Sequence, residues 1–292
     1  MNPPAKQPAS STEGGAARPA LTFIVLTSFF PEARRALRFG AALAGALGGR
    51  LVLLHVNQLA LLAGDELHLA EPPQVIQQLR QALQTLTAGL PVPASMELVT
   101  DLLPDGVEAL ARRYGPAVFV VGRPANAQTD TDISAAVLEV LRNARLPLLL
   151  VPETYAGPTL PRQLAIAADE EPFGLPAGAG AAQQLLHQLP ALPATVVTAS
   201  PMQDDMACAA ALHHVRTSRL LPDRLPSPTV AGFYGTHPED GLLQALTTTQ
   251  ADWLVLPARR RSVLGQLFHR SVTSRLLRNS PVPVLVVPAT DA

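Results

Sequence analysis

The chain has 292 residues, 48% of them hydrophobic and only 15% charged, enough apolar material for two ordinary domains. With 22 basic against 23 acidic residues the formal charge is -1, so no overall field draws nucleic acid or an anionic membrane. Lys6 is the only lysine and Cys208 the only cysteine, which excludes a lysine Schiff base in the folded part, an internal disulfide and a thiol-rich metal site, and suits a reducing cytoplasm.

Residues 1–18 are rich in Pro, Ser, Gly and Ala, lack the apolar centre of a signal peptide, and are expected to be a disordered tail. Leu21 to Thr27 is continuously apolar, as an internal parallel strand is. A helix follows from Glu32 to Leu47, stopped by Gly48-Gly49, and then a strand from Arg50 to Val56. After an insertion over 57–73 come a helix from Gln74 to Ala88, a strand from Ala94 to Val99, a helix from Val107 to Tyr114 and a strand from Ala117 to Val121. A helix from Ile133 to Asn143 and the strand Leu146 to Val151 complete the run, and Pro- and Gly-rich residues 153–161 read as a linker.

The pattern then repeats. Strands are expected at Gln163–Ala168, Ala194–Ala199, Thr229–Phe233, Trp253–Leu256 and Val282–Val287, with helices between them over 178–189, 204–214, 238–248 and 263–278. The closing phrase Arg142-Asn143-Ala144-Arg145-Leu146-Pro147-Leu148-Leu149-Leu150-Val151-Pro152 returns as Arg278-Asn279-Ser280-Pro281-Val282-Pro283-Val284-Leu285-Val286-Val287-Pro288. The expectation is an α/β chain of two tandem, flavodoxin-sized units, 19–152 and 162–289, each an open doubly wound parallel sheet of five strands between helical layers. No apolar run is long enough to span a membrane.

On this repeat, and above all on the final helix and strand from Ser271 to Val287, the chain resembles a tandem universal stress protein. The resemblance implies a cytoplasmic stress-response or regulatory role. In nucleotide-binding members a loop of pattern Gly-x-x-Gly, nine residues, Gly-Ser/Thr wraps the phosphates of ATP, and an acidic residue after the first strand helps hold the nucleoside. Here the glycine positions of the second unit fall on Pro257, Arg260 and Arg270, with the hydroxyl kept as Ser271. In the first unit Gly122 survives while the others fall near Ala125 and on Ser134. Side chains block the close backbone approach that glycine allows, and proline deletes an N–H. The acidic position corresponds to Asp169 in the second unit and to Ser28 in the first.

Two readings stand for Asp169: ribose or base recognition, or a turn or N-cap residue beside Glu170 and Glu171. Two stand for Arg259, Arg260, Arg261 and Arg270: a fork that clamps an anion in place of the lost cradle, or a solvated basic loop. Cys208 with His213 and His214 reads as a core thiol on a helix rather than a metal set, and no nucleophile elbow occurs. The expected function is therefore a regulatory protein of this type without the usual ATP binding and without catalysis. The alternatives are an adenine-nucleotide binder using Asp169, Arg260, Arg270 and Ser271 or Gly122, and an interaction module that takes an acidic protein partner on the arginine loop. The resemblance also implies pairing of last strands, within the chain or in a homodimer.

Overall fold

The computed structural model describes residues 19–28, 30–56, 73–99, 104–125, 146–235, 237–259 and 272–291. The helix expected over 133–143 lies outside them, as do Arg260, Arg270 and Ser271.

The first half runs β1 (Thr22–Thr27), α1 (Pro31–Leu47), β2 (Arg50–Val56), α2 (Pro73–Thr87), β3 (Ala94–Val99), α3 (Pro104–Tyr114), β4 (Ala117–Arg123) and β5 (Leu148–Pro152). The second runs β6 (Leu164–Ala167), β7 (Phe173–Gly174), a 3-10 turn (Ala177–Ala179), α4 (Gly180–Gln188), β8 (Ala194–Ser200), α5 (Asp205–Thr217), β9 (Thr229–Tyr234), α6 (Pro238–Thr248), β10 (Trp253–Ala258), α7 (Val272–Asn279), β11 (Val284–Pro288) and β12 (Thr290–Asp291). The helix ends follow local chemistry. Pro31 stands in the first turn of α1, where its missing N–H costs nothing, and Gly48 closes the helix at φ 62°, donating its N–H to Ala44 O. Asp204 caps α5 by accepting from the Ala207 N–H at 2.9 Å.

Ten strands form one sheet in the order β3-β2-β1-β4-β5-β11-β10-β6-β8-β9. Every neighbouring pair is parallel except β5 and β11, which run antiparallel with Leu149 opposite Leu285. The two five-stranded parallel sheets expected from the sequence are thus corrected to one mixed sheet, continuous through β5 and β11. The reason is an edge effect: β5 and β11 are buried along their whole length, and an exposed apolar edge would leave a row of backbone groups unpaired. Within each half the strands keep one order, β3-β2-β1-β4-β5 and β9-β8-β6-β10-β11, which reverses between β1 and β4 and again between β6 and β10.

Alternation along the strands sends apolar side chains to both faces. On one face Phe23, Val25, Leu149, Ile166, Trp253 and Leu285 pack with α1, α4 and α5; on the other Ile24, Leu148, Leu150, Ala165, Leu254 and Val284 pack with α3, α6 and α7. Both cores cross the β5–β11 seam. Phe39 of α1 reaches over it, its ring 6.0 Å from that of Trp253 and 6.1 Å, edge-on, from that of Tyr155. Such ring pairs add about 1 kcal/mol each beyond area burial. Among the described residues no helix is long and apolar enough to cross a membrane.

Candidate functional site

Open α/β sheets take their ligands beyond the carboxyl ends of the strands, where strand order reverses, because the loops there diverge and leave a crevice. The chain has two such places, one beyond β1 and β4 and one beyond β6 and β10.

At the first, the Ser28 hydroxyl accepts the Phe30 N–H at 3.3 Å and turns the chain into α1, while His55 Nδ1 lies 3.1 Å from Thr27 O. Gly122 stands next to last in β4, directly beneath the opening turn of α1. A Cβ there would sit inside the van der Waals radius of the Glu32 carbonyl and 3.0 Å from Ala33 N. The missing side chain therefore makes room for the helix backbone. Arg123 follows, only 7% exposed, and turns to the other half of the sheet. Its Nη1 donates to Arg278 O and its Nη2 to Ser280 O at 2.7 Å. These carbonyls close α7, so the guanidinium serves as a remote C-cap placed at the negative end of the helix. Burial lowers the pKa of Arg123 from the usual arginine value.

At the second, Asp169 lies just after the end of β6 and Arg259 follows directly on β10. The guanidinium grips the carboxylate with both prongs, Nη1 to Oδ2 at 3.0 Å and Nη2 to Oδ1 at 2.9 Å. Nη1 also donates to Glu171 Oε2 at 3.2 Å and Nη2 to the Glu171 carbonyl. Asp291 adds a further carboxylate, its Oδ1 4.0 Å from Arg259 Nε. Arg259 is 14% exposed while the carboxylates of Asp169, Glu171 and Asp291 are each more than half exposed, so the cation is the inner partner. Asp169 Oδ1 also accepts the Glu171 N–H at 3.1 Å, a local turn bond. The next helical residues begin only at Ala177, with Pro176 in the cap position, so Asp169 is a turn residue rather than an N-cap.

The C-terminal residues cross this place. Ala289 donates its N–H to Ala258 O at 3.0 Å, and β12 then pairs antiparallel with β7, Thr290 opposite Gly174 and Asp291 opposite Phe173. Nearby, α7 is tied to α6 by an ion pair from Arg275 to the buried Glu239. Cys208 is buried with its Sγ 3.1 Å from Thr198 Oγ1, and among the described residues no group of His, Cys, Asp and Glu is placed to hold a metal. A cavity of about 470 Å³ lies elsewhere, between α4 and the loop that feeds the start of β9, with Gln183, His187 and Arg219 among its walls.

The family model of the universal stress proteins matches residues 135–288, more than half of the chain. The chain belongs to the universal stress protein family. A universal stress protein from Archaeoglobus fulgidus DSM 4304 superposes with a TM-score of 0.61 at 14% identity, covering 91% of this chain and 98% of its own. A protein of Pseudomonas aeruginosa UCBPP-PA14 described as a universal stress protein follows at a TM-score of 0.49 and 16% identity, covering 92% of this chain and 93% of its own. At these identities the likeness is one of fold. No curated protein matches the chain by sequence.

In this universal stress protein the residues singled out from the sequence are divided between the two places. Gly122 lies at the first; Asp169 lies at the second, with Arg259; Arg260, Arg270 and Ser271 lie outside the described residues. Sequence reasoning missed Arg123 and the β7–β12 pairing, and grouped Arg259 with its basic neighbours rather than with Asp169. One signal was available: Asp169 and Arg259 each follow a strand, and both strands flank the reversal of strand order.

Proposed function

We propose that this is a stress-response or regulatory protein of the universal stress protein type, built of two tandem units, 19–152 and 162–289, and without the family's usual ATP binding. The observation that carries the reading is the two-pronged ion pair between Arg259 and Asp169. It puts a cation of the chain's own on the carboxylate that would hold a nucleoside, at the place where this kind of sheet takes ligands. A nucleotide would have to compete with both bonds for the Asp169 carboxylate, beside a guanidinium that is also held by two bonds to Glu171. In the first unit the helix backbone lies over Gly122, so that glycine is used for packing. The shared strand order of the halves and the antiparallel β5–β11 seam support a tandem whose units pair within one chain.

The role is regulatory rather than catalytic, and neither cofactor nor nucleic acid is part of it. An acidic protein partner would have to bind through arginines other than Arg259, whose fork already holds Asp169 and Glu171. Calorimetry and thermal shift with ATP and Mg²⁺ test the reading. Ligand that binds only the folded form raises the melting temperature, by an amount set by its concentration over Kd. No shift at millimolar ATP is the expected result, and a clear shift with one-to-one heat would sink the reading.

A further inference from the structure

We propose that β9 and the flank of α5 beside it form the contact face for a second copy of this chain, which extends the sheet antiparallel across a two-fold axis. The face lies at one end of the sheet, away from both crevices, so the inference stands apart from the reading on ATP. β9 is the last strand of the sheet, and no described strand pairs with its outer side. Its sequence, Thr229-Val230-Ala231-Gly232-Phe233-Tyr234, holds no charge and no proline, the usual guards of an exposed edge. The strand at the other end, β3, carries Glu97, paired with Arg113 at 3.1 Å. The Gly235 N–H goes inward to Ser200 O at 3.1 Å, so by alternation Val230, Gly232 and Tyr234 turn their N–H and C=O groups outward. An antiparallel copy centred here sets Gly232 opposite Gly232 and Val230 opposite Tyr234, and the two backbones come closest at a residue without a side chain.

The charges on α5 single out a second copy over an unrelated strand. The helix runs antiparallel to β9: Cys208, near its start, has its Sγ 2.9 Å from where a Cβ on Gly232 would lie, and Arg216, near its end, donates from Nη2 to Pro228 O at 3.4 Å, just before the strand. Asp205, Ala209, Leu212 and Arg216 follow at helical spacing along one flank, and the Pro228 contact puts that flank on the β9 side. Asp205, Ala209 and Arg216 are exposed and Leu212 is half-buried. Among the described residues neither Asp205 nor Arg216 has an ion-pair partner. A two-fold axis normal to the sheet lays the two copies of α5 side by side and antiparallel, so Asp205 of each approaches Arg216 of the other, with Ala209 and Leu212 between them. Opposite ends of the two helix dipoles then meet as well. An unrelated strand could use the edge but would leave both charges unmatched. Met202, Met206 and Tyr234, exposed around the carboxyl ends of β8 and β9, add apolar surface at the border of this face.

Sedimentation velocity from about 1 to about 200 µM tests the proposal, with dissociation expected in the micromolar range because one strand and one helix flank make a small interface. Val230→Pro removes an outward N–H that the fold itself does not use, and should leave a monomer with an unchanged melting temperature in dilute solution. Arg216→Glu and Asp205→Arg should each weaken the dimer about tenfold, and the two together should restore it, which a purely structural role for either side chain would not do. In hydrogen exchange the amides of Gly232 and Tyr234 should slow as concentration rises, while those of Ala231 and Phe233, on the β8 side, stay as they are. A chain that is monomeric at the highest concentration overturns the proposal and leaves the edge to some other strand. A dimer indifferent to both Val230→Pro and the charge variants also overturns it, because its contact would lie elsewhere. If Val230→Pro does not fold, the charge exchange and the Gly232 and Tyr234 amides decide. The reading under Proposed function falls separately, on an ATP shift.

Discussion

Arg259 and Asp169 are 90 residues apart in the chain and meet through two nearly equal hydrogen bonds, 3.0 and 2.9 Å long. Each residue follows a strand bordering the place where strand order reverses, so the pair ties the end of β6 to the end of β10. Its partly exposed carboxylate keeps the energy modest. Arg259→Ala should lower stability by about 1 kcal/mol, and the coupling to Asp169→Asn in a double-mutant cycle should be about 0.5–1 kcal/mol, shrinking in 1 M salt. Urea unfolding at two ionic strengths measures both.

Gly122→Ala separates a packing role from a ligand role. The added methyl group would press on the Glu32 carbonyl and Ala33 N, backbone atoms at the start of α1 that have no rotamer to give. A loss of about 3 kcal/mol is expected from such overpacking, seen as a lower urea midpoint with an unchanged slope. A stability change under about 0.5 kcal/mol would show that the helix does not need the space.

Arg123→Met should cost about 2–4 kcal/mol, because the carbonyls of Arg278 and Ser280 lose their donor in a buried setting. Arg123→Lys should recover only part of this, since one ammonium cannot reproduce a two-pronged fork. Hydrogen exchange should show the end of α7 loosening first in both variants.

The tyrosines set an alkaline limit. Tyr155 is pushed up from 10.0 to about 12, by burial first and by the Asp252 carboxylate second. The fold favours the neutral phenol, which donates to Pro158 O at 3.0 Å. This contribution is present in full below pH 10 and is lost as the pH rises from 10 to about 12, where the unfolded chain ionises and the folded chain resists. Absorbance titration at the phenolate band should show Tyr155 as a late step near pH 12, absent in Tyr155→Phe.

Much of the first-half architecture was legible before any coordinates, for a local reason. Leu21 to Thr27 is apolar at every position but Thr22 and Thr27, the helix after it carries its stop signal in Gly48, and β3 has its expected bounds, Ala94–Val99. Periodicity and end signals are set by neighbours in sequence, and a reader of the chain sees those neighbours. The α/β class and the repeated closing strand followed in the same way.

The candidate site was legible only as a set of fragments. Asp169 could be named from its place after a strand, but its partner Arg259 stood in a run of three arginines that looked alike. Arg123, the cap for a helix in the other half, gave no local sign at all, and the two-residue strands β7 and β12 are too short for any period to show.

The amino-acid sequence by itself determined where most of the strands and helices form and which of their faces are apolar. Only the tertiary structure decided that Leu149 lies opposite Leu285 in one ten-stranded sheet and that Arg259, rather than its neighbours in sequence, takes Asp169. The division has a physical cause. Secondary structure answers to contacts a few residues away, whereas strand order and ion pairing answer to which distant edges and charges the packed cores bring within reach.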